Sequence, residues 1–220
     1  MYILYHNNYF NKFFKDKTEV KETVKQNTET KEGEKKPSLE ELASSYGYLL
    51  DIVNINNHTD YLNDYYSGNL TSELENYLAL NTINLNNLTV EDDYNIIEED
   101  KIKTAYTNIF SQEHKYSSKT FKYNGYNLRY ISKLGSYISS EIIVPSSSEI
   151  VRQIISVEQV NDQIKITTVE AIVRDGLIYN ILSNENIGVY EEGKLNNYEE
   201  VLNKITYTFD KDKKLISITK

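Results

Sequence analysis

At about residue 119 the spacing of apolar side chains changes from a period near 3.6 to a period of 2, and this change constrains the fold of the 220-residue chain more than any other feature. Upstream of it the pattern is helical. Ser38-Leu39-Glu40-Glu41 reads as a capping box, with Ser38 as N-cap and Glu41 as its partner, and Leu39, Leu42, Tyr46, Leu50 and Val53 continue at helical spacing. This predicts a first helix near 39–53. The stretch NINNHTDYLNDYYSGN breaks the period and ends at Gly68. TSELENYLALN restarts it as a short helix with Leu74, Tyr77 and Leu78 on one side. A third helix near 98–110 turns Ile102, Ala105, Tyr106, Ile109 and Phe110 inward, with Glu98, Glu99 and Asp100 in its first turn, where the helix dipole favours acids.

Downstream, turn chemistry punctuates alternating strands. In FKYNGYNLRY the pair Asn124-Gly125 suits a two-residue type I′ hairpin. That register sets Tyr123 opposite Tyr126, Phe121 opposite Leu128 and Lys119 opposite Tyr130, so one face is aromatic and the other carries Lys122, Asn127 and Arg129. VRQIISVEQV, Asn161-Asp162 and QIKITTVEAIV form a second hairpin, and Asp175-Gly176 turns the chain into LIYNIL. The middle strand has apolar residues at both parities, as in a central strand or one carrying a bulge. ITYTF-DKDK-KLISI closes the chain, and a four-residue loop there pairs Tyr207 with Ile216 and Ile205 with Ile218. Helices followed by a run of antiparallel strands argue an α+β fold: N-terminal helices packed on a curved antiparallel sheet of about six strands.

The domain built from these elements covers 38–220. Residues 15–37 hold no aromatic side chain and charges of alternating sign, too little apolar area to offset the entropy of ordering, which predicts a disordered charged tether. Before it, residues 1–14 place Tyr2, Tyr5, Tyr9, Phe10, Phe13 and Phe14 in a short run. No basic region precedes that run and no small-residue cleavage site follows it, so it does not read as a secretory signal. It is too short to span a bilayer but resembles the aromatic belt at the end of a membrane helix. Folding back onto the domain and an inert tail are the alternatives.

Composition then narrows the chemistry. Without cysteine the chain has no disulfide, thiolate nucleophile or Cys-ligated zinc. The first 36 residues hold eight Lys against six acids, so of the net −9 the remaining residues carry −11, a balance that repels nucleic acid. Phosphate-binding glycine loops are absent, and no motif implies a cofactor. The three histidines, His6, His58 and His114, form no metal-ligand spacing. Asn54, Asn56, His58 and Asp60 alternate like a calcium loop, but Thr59 and Tyr65 occupy the places where Gly and Glu are needed, so a self-capping turn is the better reading. Asp210 and Asp212 fit hairpin-tip chemistry, and Glu91, Asp92, Asp93 with Glu98–Asp100 fit a solvated loop and helix start. Tyr is abundant (20 residues) and Trp absent, which accords with AT-rich codon usage. Glu158 and Glu170, on neighbouring strands amid apolar residues, are the acids to inspect for catalysis.

DKIKTAYTNIF, FKYNGYNLRY, QIKITTVEAIVRDGLIYN and KITYTFDKDKKLISI resemble uncharacterised membrane-anchored extracytoplasmic domains of AT-rich, low-GC bacteria. Such domains follow a membrane helix and a charged linker and have no assigned activity. More loosely, the order of elements is similar to cystatin-like or nuclear-transport-factor-like α+β cones. The resemblance supplies no site residues and supports only the membrane segment. The organisation of the chain predicts a non-enzymatic domain tethered to the outer face of a cell membrane that binds a ligand or partner protein, through the sheet's exposed face or the aromatic group Tyr123, Tyr126 and Tyr130, with Glu158 and Glu170 completing the candidate surface. A small enzyme using a concave pocket and a cytosolic acidic adaptor are the alternatives.

Overall fold

The computed structural model describes residues 37–85, 89–91, 94–140 and 148–220. These belong to a unit spanning Pro37–Lys220. The aromatic 1–14 segment and the charged segment up to Lys36 lie outside the described residues. Among the described residues there are four α-helices, α1 (Leu39–Asp51), α2 (Leu62–Ser67), α3 (Ser72–Asn81) and α4 (Glu99–Ile109). The capping box forms as the sequence predicts: the Glu41 amide donates to Ser38 Oγ at 3.2 Å, and the Ser38 amide donates to Glu41 Oε2 at 2.6 Å. Helix α2 sits in the Asn-rich break and ends at Gly68, whose φ of +75° is left-handed and whose α-carbon leaves no room for a side chain. A Cβ there would stand 2.4 Å from the carbonyl oxygen of Ile218.

The α+β class holds, with the strands divided between two antiparallel sheets. The first is ordered β1 (Thr89–Glu91), β2 (Tyr94–Glu98), β5 (Ser136–Ser139), β4 (Tyr126–Ile131), β3 (Phe121–Tyr123). The second has six strands: β11 (Leu215–Thr219), β10 (Asn203–Phe209), β7 (Gln163–Arg174), β8 (Leu177–Tyr179) and β9 (Asn186–Val189) in order, with β6 (Ile150–Val160) paired to β7. The Asn124-Gly125 hairpin therefore belongs to a sheet separate from the one the later strands build.

Three two-residue turns, Asn124-Gly125, Asn161-Asp162 and Asp175-Gly176, all have positive φ at both positions, the type I′ requirement. The first fixes Phe121 opposite Leu128 and Tyr123 opposite Tyr126, as expected, although β3 begins only at Phe121, after Lys119. The C-terminal hairpin departs from the expected register. Tyr207 pairs with Ile218, not Ile216, because Phe209 pairs with Leu215 and Ile216 is left as the extra residue of a bulge. Asp210 supports the wider loop, its carboxylate accepting from the amides of Asp212 and Lys214 at 2.9 Å each.

Strand β7 shows why apolar residues occupied both parities. Ile164, Ile166 and Ile172 join the main core, while Val169 and Ala171 join a smaller cluster with Ile178, Leu195 and Leu202 on the opposite face. That face is covered by the segment containing a 3₁₀ turn at Leu195–Tyr198. The main core gathers α1–α4 and both sheets, and its largest fully buried side chains include Tyr65, Tyr66, Tyr77, Tyr137 and Tyr207. A core filled with tyrosine in place of tryptophan has a consequence: each buried hydroxyl must find an acceptor.

Candidate functional site

Tyr65 uses the Val53 carbonyl and Tyr77 the Asn124 side-chain oxygen, and Tyr66 and Tyr207 use a carboxylate, one of several in the domain that accept from tyrosine. The deepest is Glu170 on β7, which is fully buried. Its Oε1 accepts from Tyr207 Oη at 2.6 Å and Thr168 Oγ1 at 2.8 Å, and its Oε2 accepts from Tyr66 Oη at 2.7 Å. Arg152, directly opposite on β6, holds its Nε 3.2 Å from Oε1 as an ion pair without hydrogen-bond alignment at Nε. Its other nitrogens donate to the Leu50 carbonyl at 3.3 Å and to Tyr65 Oη at 3.1 Å. Tyr65 Oη shares its proton between the Val53 carbonyl at 2.8 Å and Tyr207 Oη at 2.9 Å. The contacts close a ring: Arg152, Tyr65, Tyr207, Glu170 and back to Arg152. The guanidinium also lies 5.9 Å from the ring centroids of both Tyr65 and Tyr207.

The electrostatics follow from burial. Desolvation, reinforced by the Glu170 charge, holds the Tyr66 and Tyr207 hydroxyls well above the ordinary tyrosine range, so both stay protonated donors. Desolvation does the same for Tyr65 against the opposing pull of Arg152. Every oxygen of Glu170 is thus committed to the protein's own side chains.

Two further carboxylates repeat the device. Glu75 on α3 accepts from Tyr106 Oη on α4 at 2.9 Å through Oε2, and its Oε1 lies 2.6 Å from His114 Nδ1. Glu99 at the start of α4 accepts from Tyr130 Oη at 2.6 Å and from the Ser118 hydroxyl, bonds that lower its pKa from the ordinary carboxylate value. Beside it, the Tyr116 and Tyr137 hydroxyls lie 3.0 Å apart.

The residues singled out from sequence do not converge. Tyr123 is buried against Tyr77, with ring centroids 5.3 Å apart, and desolvation pushes its hydroxyl up to about 12. Tyr130 packs its ring 5.1 Å from Tyr137 and spends its hydroxyl on Glu99. Tyr126 is half-exposed at the hairpin end. Glu158 is exposed and stands opposite Lys165, whereas Glu170 stands opposite Arg152. Six residues of strand separate the two positions along β6, about 20 Å. A shared bond between these two acids is out of reach.

Arg152 was hidden from sequence reasoning for a definable reason. Counting from the Asn161-Asp162 turn without interruption places Gln153 opposite Glu170. A bulge at Ile155, between the Ile154 and Ser156 pairings, shifts the register by one and delivers Arg152 instead. The Asn-rich stretch behaves as a self-capping turn: the His58 amide donates to Asn56 Oδ1 at 2.8 Å, and Asp60 pairs with Lys122 at 3.4 Å. Among the described residues no three His, Asp or Glu side chains are placed to hold a metal ion. Asp92 and Asp93 lie outside the described residues.

Surface depressions lie away from these clusters among the described residues. One of about 460 Å³ runs between the end of α3 and α4, lined by Thr82, Ile83, Lys101 and Thr104 among others. Another, about 350 Å³, lies on the open face of the first sheet, lined by Thr120, Asn127, Arg129, Ile138 and Ser140. Among the described residues no helix is long and apolar enough to cross a membrane. Comparison with protein-family models, curated proteins and solved structures finds no match to this chain.

Proposed function

We propose that this chain is a non-enzymatic binding domain, displayed on the outer face of a cell membrane through its N-terminal segment, and that it recognises a ligand or partner protein on the open face of the first sheet. The supporting observation is how the charged groups are used. Glu170, Glu75 and Glu99 have their oxygens filled by internal tyrosine, serine, threonine and histidine donors, which is the signature of a satisfied polar core. Of three arginines, Arg152 and Arg174 are committed to Glu170 and Glu149. Arg129 instead stands exposed among Asn127, Thr120 and Ser140, a fork-shaped donor set on an otherwise acidic domain. The membrane part of the reading rests on the aromatic run Tyr2–Phe14, as does the resemblance to tethered extracytoplasmic domains.

The test is a thermal-shift screen of the full chain against small carboxylates and phosphates, repeated on Arg129→Glu and on Glu158→Gln. Stabilisation abolished by Arg129→Glu and kept by Glu158→Gln supports the open face as the recognition surface; hits indifferent to Arg129 refute it. Flotation with lipid vesicles, full chain against a chain lacking residues 1–36, decides the membrane part: equal recovery of both overturns it.

A further inference from the structure

His114 lies in the segment joining α4 to β3, and that segment covers the outer edge of β11. Phe110 forms a parallel bridge with Leu215, the Ser111 amide donates to the Leu215 carbonyl at 2.9 Å, and the His114 amide donates to the Ser111 carbonyl at 3.1 Å. The His114 ring then reaches two acceptors at once: Nδ1 is 2.6 Å from Glu75 Oε1, and Nε2 is 2.7 Å from the carbonyl oxygen of Ile216. A neutral imidazole has one N–H and one lone pair, so facing two acceptors it would set its lone pair against one of them. Only the imidazolium satisfies both. The Ile216 carbonyl is presented by the bulge that displaces the C-terminal register.

We propose that His114 is a pH-operated latch, closed when its ring is doubly protonated and clamping the segment from Phe110 to Lys119 onto β11, and open when the ring is neutral. The groups facing it favour the closed form. Glu75 faces it from α3, itself held by Tyr106 of α4; Glu113 stands on the same segment; β11 contributes only the Ile216 carbonyl. The Glu75 bond raises the pKa of His114 above its ordinary 6.5, with the Ile216 carbonyl and Glu113 adding to it and desolvation opposing. The sign follows. A histidine raised in the folded state contributes fully below about 6.5, and the contribution is lost as pH rises through the folded value. Release strips the Ile216 carbonyl of its donor and frees the segment locally, uncovering strand edge. The bond from Asn76 Nδ2 to the Ser117 carbonyl, 2.9 Å, does not titrate and keeps the far end of the segment on α3.

The test uses the full chain. Ring resonances of His114, assigned with His6→Gln and His58→Gln variants, are titrated from pH 5.5 to 9, and exchange of the Ser111 amide is followed over the same range after correction for the intrinsic rate. The expected result is a His114 midpoint above 6.5. Ser111 protection then falls about tenfold for each pH unit between 6.5 and that midpoint. In His114→Gln, protection is low and independent of pH. If that variant does not fold, the wild-type titration decides alone. A midpoint at or below 6.5, or Ser111 protection that ignores pH, overturns the latch.

Discussion

Glu170→Gln keeps the shape of the buried side chain while removing its charge and presenting an amide N–H₂ to hydroxyls that are themselves donors. In the native domain Glu170 receives three O–H bonds, from Tyr66, Tyr207 and Thr168, and lies 3.2 Å from Arg152 Nε. Breaking one partner of a buried ion pair costs about 3–5 kcal/mol because the survivor stays charged and desolvated. Each stranded donor adds about 1–3 kcal/mol where no water replaces the acceptor. Against a total stability of about 5–15 kcal/mol, Glu170→Gln is expected to cost at least about 3 kcal/mol. Arg152→Met is expected to cost a similar amount through the opposite charge. The double variant is expected to be less destabilised than the sum by about 2 kcal/mol or more, since neither charge is left alone. Urea unfolding followed by far-ultraviolet circular dichroism measures all four corners of the cycle. Additive losses, or single losses under about 1 kcal/mol, refute the reasoning. A stabilising Glu170→Gln would point the other way, to a strained cluster kept for activity at the expense of the fold.

Gly68→Ala combines a left-handed backbone with a Cβ set 2.4 Å from the Ile218 carbonyl, and should cost about 2–4 kcal/mol by the same assay, with local disorder of β11 in amide spectra. Tyr123→Ala removes a buried ring packed on Tyr77 and should cost about 3–5 kcal/mol; a loss below about 1 kcal/mol would mean that Tyr123 is a surface aromatic after all. Removal of residues 1–36 is expected to move the unfolding midpoint of the 37–220 unit by less than about 2 °C, whereas a shift of several degrees would favour the fold-back reading of the N-terminus.

Where local chemistry decides a structural feature, the sequence was readable. Type I′ turns need positive φ twice, so Asn124-Gly125 and Asp175-Gly176 announce themselves, and the Ser38–Glu41 box marks its helix. Non-local pairing decided the rest. The hairpin at Asn124-Gly125 names its own two strands but not the sheet they join, and β5 pairs with β2 although α4, β3 and β4 intervene in the chain. Helix α2 is only six residues long and is held by tertiary burial of Tyr65 and Tyr66, which no periodicity over so short a span reveals. The C-terminal register departs from expectation by two residues, one from the wider loop and one from the bulge at Ile216, and a second bulge lies at Ile155. Each bulge delivers a polar partner to an internal cluster: Arg152 to Glu170, and the Ile216 carbonyl to His114. The candidate acids were half legible. Glu170 stood out as a carboxylate among apolar residues, but its partners come from β6, β10 and α2 and share no motif with it.

Buried carboxylates serve as internal acceptors for tyrosine hydroxyls in this domain. Carbon-13 observation of the tyrosine ring carbons through an alkaline titration tests this directly. Tyr66 and Tyr207 should remain protonated well past the ordinary value near 10, ionising only as the domain unfolds, and Glu170→Gln should lessen that elevation without abolishing it, because burial persists when the charge is gone. Reversible ionisation of both near 10 in the folded protein would contradict it.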